Sequence, residues 1–391
     1  MNLSKIALYS FPLIIIFLFF YSFTQVDLSL TLSQVSIWQT VQKSFQEIGY
    51  FNRPLSTALF VLVLAALLAY YIYFLILAYR KKLKIKDIGI IICFTAVILA
   101  FSYNAFSYDL FNYIFDGKII TYYHQNPYFH KALDYPNDPM LSFMHWTHRL
   151  YPYGPFWLVL TTPLSLIGMN IFLLTFFLFK FLAVGFYLGS VYLIYKINKK
   201  INSGWEIFNT VLFALSPLVI IEGLVSAHND IAMVFFALLG VYLYVEKNKL
   251  LGIFSIFLSA MIKIPTAVLL LPLLINALPF KKYHLNNEKL TWSFVILSIA
   301  GVLYSMTKLE IQPWYFLWVI PFIALLKPNR IVLAASIGFS LGLVLRYVPY
   351  LYYGSWDGFA LPLRNALTLL CLFVPSIITF VWSRKKGYNL S

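Results

Sequence analysis

Acidic residues are scarce in this chain, 14 Asp and Glu in 391 residues, so the runs that gather them are where chemistry is sought first. The run Ser107-Tyr108-Asp109-Leu110-Phe111-Asn112-Tyr113-Ile114-Phe115-Asp116-Gly117-Lys118 holds two. On a helix, separations of three, four and seven residues return to nearly one azimuth. Asp109, Asn112, Tyr113 and Asp116 then share a face, and Lys118 falls on the opposite one, toward lipid headgroups. A carboxylate partly withdrawn from water is a stronger base toward a hydroxyl held against it. The plainer alternative is a polar stripe facing water.

Three further stretches carry polar groups in apolar surroundings. In His145-Trp146-Thr147-His148-Arg149-Leu150-Tyr151-Pro152-Tyr153-Gly154-Pro155, Arg149 can grip a phosphate through its planar fork, or it anchors an aromatic belt. His145 and His148 are spaced for a metal, but no nearby ligands complete a set. In Glu222-Gly223-Leu224-Val225-Ser226-Ala227-His228-Asn229-Asp230, ionisable groups at membrane depth suggest a cavity lining, while Asp230 also suits a helix start. Lys263 either neutralises a phosphate or snorkels. Lys180, near the middle of an apolar run, needs an internal partner or a water-filled cavity. In Glu310-Ile311-Gln312-Pro313-Trp314-Tyr315-Phe316-Leu317-Trp318, Gln312 and Trp314 can hydrogen-bond and stack a sugar, or the aromatics form a belt.

The elements that must position these groups are membrane helices. Hydrophobic residues make up 61% of the chain and charged residues 11%, far below the ~25% charge of a soluble domain. Apolar runs near 6–23, 54–79, 88–106, 171–195, 206–222 and 229–245 read as spans, as do those near 250–263, 266–280, 290–307, 313–327, 330–350 and 361–383. The expected fold is therefore all-α, a polytopic bundle of about 12 spans in a single membrane domain. The run 6–23 lacks a small-x-small cleavage site and reads as an uncleaved span. Basic clusters such as 80–86, 196–200 and the tail at 384–386 place both termini in the cytoplasm. These clusters account for much of the net charge of +15, which argues against a nucleic-acid partner. The apolar stretch 156–168 is too short to cross. It reads as an interfacial helix, leaving 107–170 as one long extracytoplasmic segment. Cys93 and Cys371 lie inside apolar runs, which disfavours a disulfide or zinc framework. No GxGxxG, Walker or HExxH motif and no fixed-period repeat occurs.

In order and sidedness these motifs resemble the C-type membrane glycosyltransferases that use polyprenyl-phosphate sugars. Bacterial proteins with an alpha-mannosyltransferase-like domain are nearest, and aminoarabinose transferases and protein O-mannosyltransferases more distant. The resemblance runs over about 88–330. It rests on Asp109-Leu110-Phe111-Asn112-Tyr113, on Tyr151-Pro152-Tyr153-Gly154-Pro155, on His228-Asn229-Asp230, on Lys263 and on Gln312-Pro313-Trp314-Tyr315. Residues 1–87 then add two spans before the core, and 331–391 form C-terminal spans. The resemblance implies that Asp109 is the catalytic base of an inverting transfer of a hexose, mannose foremost, at the extracytoplasmic face. Asp116 would be its helper, and Arg149 and Lys263 would stabilise the leaving phosphate. Asn112, Tyr113, His148, Tyr151, His228, Asp230, Gln312 and Trp314 would contact substrate. No cofactor is required, although a divalent cation can share the phosphate's charge. The partners implied are the lipid-linked donor, membrane lipids and a glycan, lipid or protein acceptor. Rival readings are a flippase or transporter for lipid-linked sugars and a polysaccharide polymerase or ligase.

Overall fold

A chain surrounded by lipid must satisfy its backbone internally, and among the described residues every regular element is a helix. The structure, a computed structural model, describes residues 3–278 and 284–385, leaving out the side chains of 3–5. The end of the run read as 266–280 and Lys386 of the basic tail lie outside the described residues. In chain order the helices are α1 (Leu3–Phe23), α2 (Ser36–Gln46), α3 (Arg53–Tyr79), α4 (Ile85–Ala100), α5 (Asp109–Thr121) and α6 (Pro155–Ile167). Next come α7 (Phe172–Ile201), α8 (Glu206–Ala214), α9 (Pro217–Val219), α10 (Asp230–Val245), α11 (Lys249–Ala260) and α12 (Leu270–Ala277). The last are α13 (Asn287–Met306), α14 (Ile320–Ile323), α15 (Arg330–Leu345), α16 (Tyr347–Tyr353) and α17 (Ala360–Lys385).

Six of these stretches are long and apolar enough to cross a membrane: α1 from Ile6, α3, α7, α13, Arg330–Tyr353 and α17. A seventh results if α8 and Pro217–Val225 count as one span bent by 50°. Pro217 marks that bend, because it cannot donate to the preceding turn. The sequence suggested about 12 crossings, and the difference lies in helix length. α10 has 16 residues and α11 has 12, or ~24 and ~18 Å at 1.5 Å per residue, against ~30 Å of hydrocarbon. They pack on each other, and α10 also packs on α7, so part of their apolar surface is buried in protein.

Two local devices fix how the helices meet. Gly154 caps α6, with Pro155 as its first residue, where a missing N–H costs nothing. The Gly154 and Phe156 amides donate to Ile262 and Met261 carbonyls at 3.0 Å each. A Cβ at Gly154 would stand 2.0 Å from the Met261 oxygen. Gly154→Ala should therefore cost about 1–3 kcal/mol, read as a lowered unfolding midpoint in detergent, and an unchanged midpoint would contradict this close docking. The second device is an asparagine clamp. Asn198, Asn202 and Asn209 donate to the carbonyls of Ala324, Leu325 and Leu326 at 2.8, 2.6 and 3.0 Å. These are the carbonyls that follow α14, which otherwise lack intrahelical donors.

Candidate active site

Asp109 is the first residue of α5 and is buried, so its carboxylate lies at the positive end of the helix dipole. The Ser107 hydroxyl accepts from the Asp109 amide at 3.1 Å, and the Tyr108 hydroxyl donates to Asp27 at 3.0 Å. Tyr108 also stacks on His145, with centroids 3.7 Å apart, and burial holds the His145 pKa below its ordinary value. The Asp109 oxygens face two cationic or ionisable groups beyond hydrogen-bond reach. Arg149 Nη2 is 4.0 Å from Oδ1, and His228 Nδ1 is 3.6 Å from Oδ2.

Asp109 opens onto a cavity of about 300 Å³, also lined by Glu310, Gln312, Trp314, Tyr347, Trp356 and the guanidinium residues Arg346 and Arg364. Glu310 bonds Arg364 at 2.5 Å and lies 3.8 Å from Arg346 Nη2. Arg346 also donates to Asn365 at 2.8 Å. Both arginines are buried, while the Glu310 side chain is 42% exposed. The more exposed partner is therefore the anion. A base, two guanidinium groups and indole faces around one cavity can hold a phosphorylated sugar and deprotonate a hydroxyl beside it. A larger cavity of about 450 Å³ lies further along α5, lined by Lys118, Thr121, Tyr135 and Asp138 among others. Asp109 does not line it, and its lysine is already neutralised by Asp138.

The other groups singled out in the sequence divide between the cavity and its frame. Gln312 and Trp314 line the cavity, and Trp314 stacks on His228 with centroids 4.3 Å apart. Asn112 is buried with its Oδ1 unpartnered, and Tyr113 donates to Asn229 at 3.2 Å. Arg149 donates to the Tyr153 hydroxyl at 3.2 Å and lies against that ring. Lys263 pairs with Asp230 at 2.7 Å, and the Trp318 indole donates to the other Asp230 oxygen at 2.6 Å. Tyr151 donates to the Gly154 carbonyl at 2.9 Å, and His148 is exposed beside Trp146. Arg149, Lys263, Asp230, Tyr151, His148 and Asp116 do not line the cavity beside Asp109.

Lys118 departs from its expected place facing headgroups. It is buried and paired with Asp138, which returns to α5 from 20 positions further on and also accepts from Tyr123 at 2.6 Å. Lys180 finds internal partners: its ammonium donates to the carbonyls of Leu224 and Val225 and to the Ser102 hydroxyl. Those carbonyls end a π-helical turn, Ile220–Val225, a form frequent at functional sites. Ala227 follows with φ 54°. This left-handed conformation is costly for alanine, and it turns the chain immediately before His228.

Asp116 stands seven residues, ~10 Å, along α5 from Asp109. Burial pushes its pKa up to about 7; the nearby Asp109 charge adds to this and Arg149 opposes it. Between about pH 4 and 7 the folded protein keeps a proton that the unfolded chain has lost, so this residue's stabilising contribution declines as pH rises. The unfolding midpoint of wild type should fall relative to Asp116→Asn between pH 5 and pH 8. Parallel curves would show that Asp116 titrates normally.

Arg346, Arg364 and Tyr347 were not picked out from sequence. Arginines inside the apolar runs near 330–350 and 361–383 were the available signal, because charges there are costly unless a cavity or partner receives them. Among the described residues no group of three or more His, Cys, Asp and Glu is placed to hold a metal ion. Asp109 and Glu222 face opposite nitrogens of His228, so they do not converge on one ion, and no step is assigned to one.

Helices long enough for a bilayer surround this cavity, and the class of the chain, a glycosyltransferase, comes from its family. Residues 25–278 match the family model for the alpha-(1->6)-mannopyranosyltransferase N-terminal domain, and the chain belongs to this mannosyltransferase family. The match begins well before residue 88 and takes in α3 as well as α5 and His228. No curated protein and no solved structure matches the chain.

Proposed function

We propose that this protein is a C-type glycosyltransferase that moves mannose from a polyprenyl-phosphate donor to a hydroxyl on a glycan, lipid or protein acceptor. The chemistry takes place at the extracytoplasmic face of a multi-pass protein with both termini cytoplasmic, a reading supported by the placement of its basic clusters. The observation that carries the proposal is Asp109, buried at the start of α5 and facing a cavity lined by Arg346 and Arg364. Family membership supports the sugar.

In the reaction the acceptor oxygen attacks the anomeric carbon as the bond from that carbon to the phosphate oxygen breaks. The bonding pair leaves with polyprenyl phosphate, Asp109 takes the hydroxyl proton, and the anomeric configuration inverts. Arg346 and Arg364 meet the charge that grows on the phosphate, releasing Glu310 as they do so. Trp314 offers a stacking face, and Gln312 a hydrogen-bonding group, to the sugar. Arg149 and the Lys263–Asp230 pair hold the loop beside the base. Asp116 acts on Asp109 through charge across Arg149. The working unit extends past 88–330, because Arg346 caps the C-terminus of α15 and Arg364 belongs to α17.

The test uses purified protein in lipid with labelled polyprenyl-phosphate mannose and polyprenyl-phosphate glucose. Label leaving the mannose lipid in the presence of acceptor is the expected result. Binding of the lipid without turnover, across a panel of glycan, lipid and protein acceptors, would overturn the enzyme reading.

A further inference from the structure

Behind Asp109 lies a buried chain of ionisable groups that the transfer step leaves unused. His228 and Glu222 are both fully buried. The His228 Nε2 is 3.2 Å from Glu222 Oε2, and its Nδ1 is 3.6 Å from Asp109 Oδ2. Glu222 Oε1 accepts from the Tyr347 hydroxyl at 2.8 Å. Neither ring nitrogen of His228, nor Glu222 Oε2, makes a hydrogen bond. Groups so deeply buried are costly to leave unpaired, and hydrogen bonds that serve catalysis are often long until substrate is bound. Trp314, a wall of the cavity, covers the ring face. A sugar stacked on that indole therefore presses on the histidine behind it.

We infer that His228 and Glu222 form a proton-holding pair that receives from Asp109 the proton taken from the acceptor. The inference rests on Asp109 being the base. Once substrate tightens the contact, Glu222 fixes the tautomer: with Nε2–H drawn onto its carboxylate, the Nδ1 lone pair faces Asp109. The acceptor O–H proton passes to Asp109 as the new glycosidic bond forms. It then moves from the Asp109 carboxyl to Nδ1, which restores the carboxylate and leaves an imidazolium between two carboxylates. Once products depart, the proton returns through Asp109 to water in the cavity, and the ring is neutral again. No electron or co-reactant is needed beyond donor and acceptor. His228 and Glu222 act through Asp109, so they are positioning residues. Lys180 belongs to the same device, because its ammonium holds the carbonyls at the end of the turn that carries Glu222.

The experiment measures turnover by full-length protein in lipid with polyprenyl-phosphate mannose, for wild type, Glu222→Gln, His228→Gln and the double variant. Glu222→Gln keeps the shape and removes the charge, and kcat should fall by ~10²-fold, the scale of a proton-transfer contribution. KM for the donor lipid should stay within about twofold, because neither group touches the phosphate in this scheme. The double variant should be no slower than the slower single, as residues that act as a unit are not additive. Tyr347→Phe removes only the hydroxyl that holds Glu222, and it guards against a folding artefact. Its kcat should fall several-fold, again with KM steady. Full kcat in Glu222→Gln, or losses that appear in KM instead, would overturn the pair. An inactive Asp109→Asn beside a fully active Glu222→Gln would remove the pair and leave the base. Absence of transfer by wild type would remove the reading on which both stand.

Discussion

Asp109→Asn should bind the donor lipid as wild type does and lose at least ~10³-fold in mannose release, within the range of loss when general-base chemistry is removed. Asparagine matches aspartate in size and tolerates the first turn of a helix, so α5 should form unchanged. What disappears is the ability to take a proton. The contact with Arg149 is 4.0 Å long and partly solvated, so its loss costs little in folding. The measurement is single-turnover release of labelled sugar at saturating protein, beside equilibrium binding of the same lipid. A variant within tenfold of the wild-type rate would rule out Asp109 as the base, wherever the sugar then proved to bind.

Arg346→Gln should act on the other half of the reaction, weakening both donor binding and leaving-group departure. Removing one hydrogen-bonded, buried charge from an anion site costs ~2–5 kcal/mol, or about 30- to 5,000-fold in kcat/KM. Arg364 remains, with Glu310 still bound to it at 2.5 Å, so the cavity keeps one guanidinium that is largely neutralised at rest. The amide of Gln preserves hydrogen-bonding capacity toward Asn365 and Thr368, the present partners of Arg346. The loss of lipid binding should be large for the phosphate-bearing donor and shrink for a neutral phosphate-free sugar lipid. Equal loss for charged and neutral lipids would mean that Arg346 supports the cavity wall without meeting the phosphate.

The sequence made the all-helical, membrane-spanning character plain, because no arrangement of so few charges covers a soluble surface. Hydropathy could not separate a helix crossing lipid from a short helix covered by protein. That is why α10 and the segment Pro313–Ile323, both largely buried, read as spans although they are short. Helical spacing assigned Asp109, Asn112, Tyr113 and Asp116 to one face, and residues 109–121 do form the helix that this spacing assumed. The same rule set Lys118 apart and left it to headgroups, since nothing local announces Asp138 returning to meet it. Arg346 and Arg364 were passed over for a related reason. A lone arginine near the end of an apolar run looks like an anchor until the fold brings a second one, and a glutamate from 310, to its side.

The asparagine clamp bears on how distant parts of the chain are held together. Carbonyls 324–326 follow a helix of only four residues and are buried in protein, where an unpaired carbonyl costs about 1–3 kcal/mol. Their donors are Asn198, Asn202 and Asn209. The segment after α14 is thus held in register by side chains of α7, of α8 and of the turn between them. The stretch that runs on from Trp314 through α14 is therefore anchored at its far end by residues more than a hundred positions away in the chain.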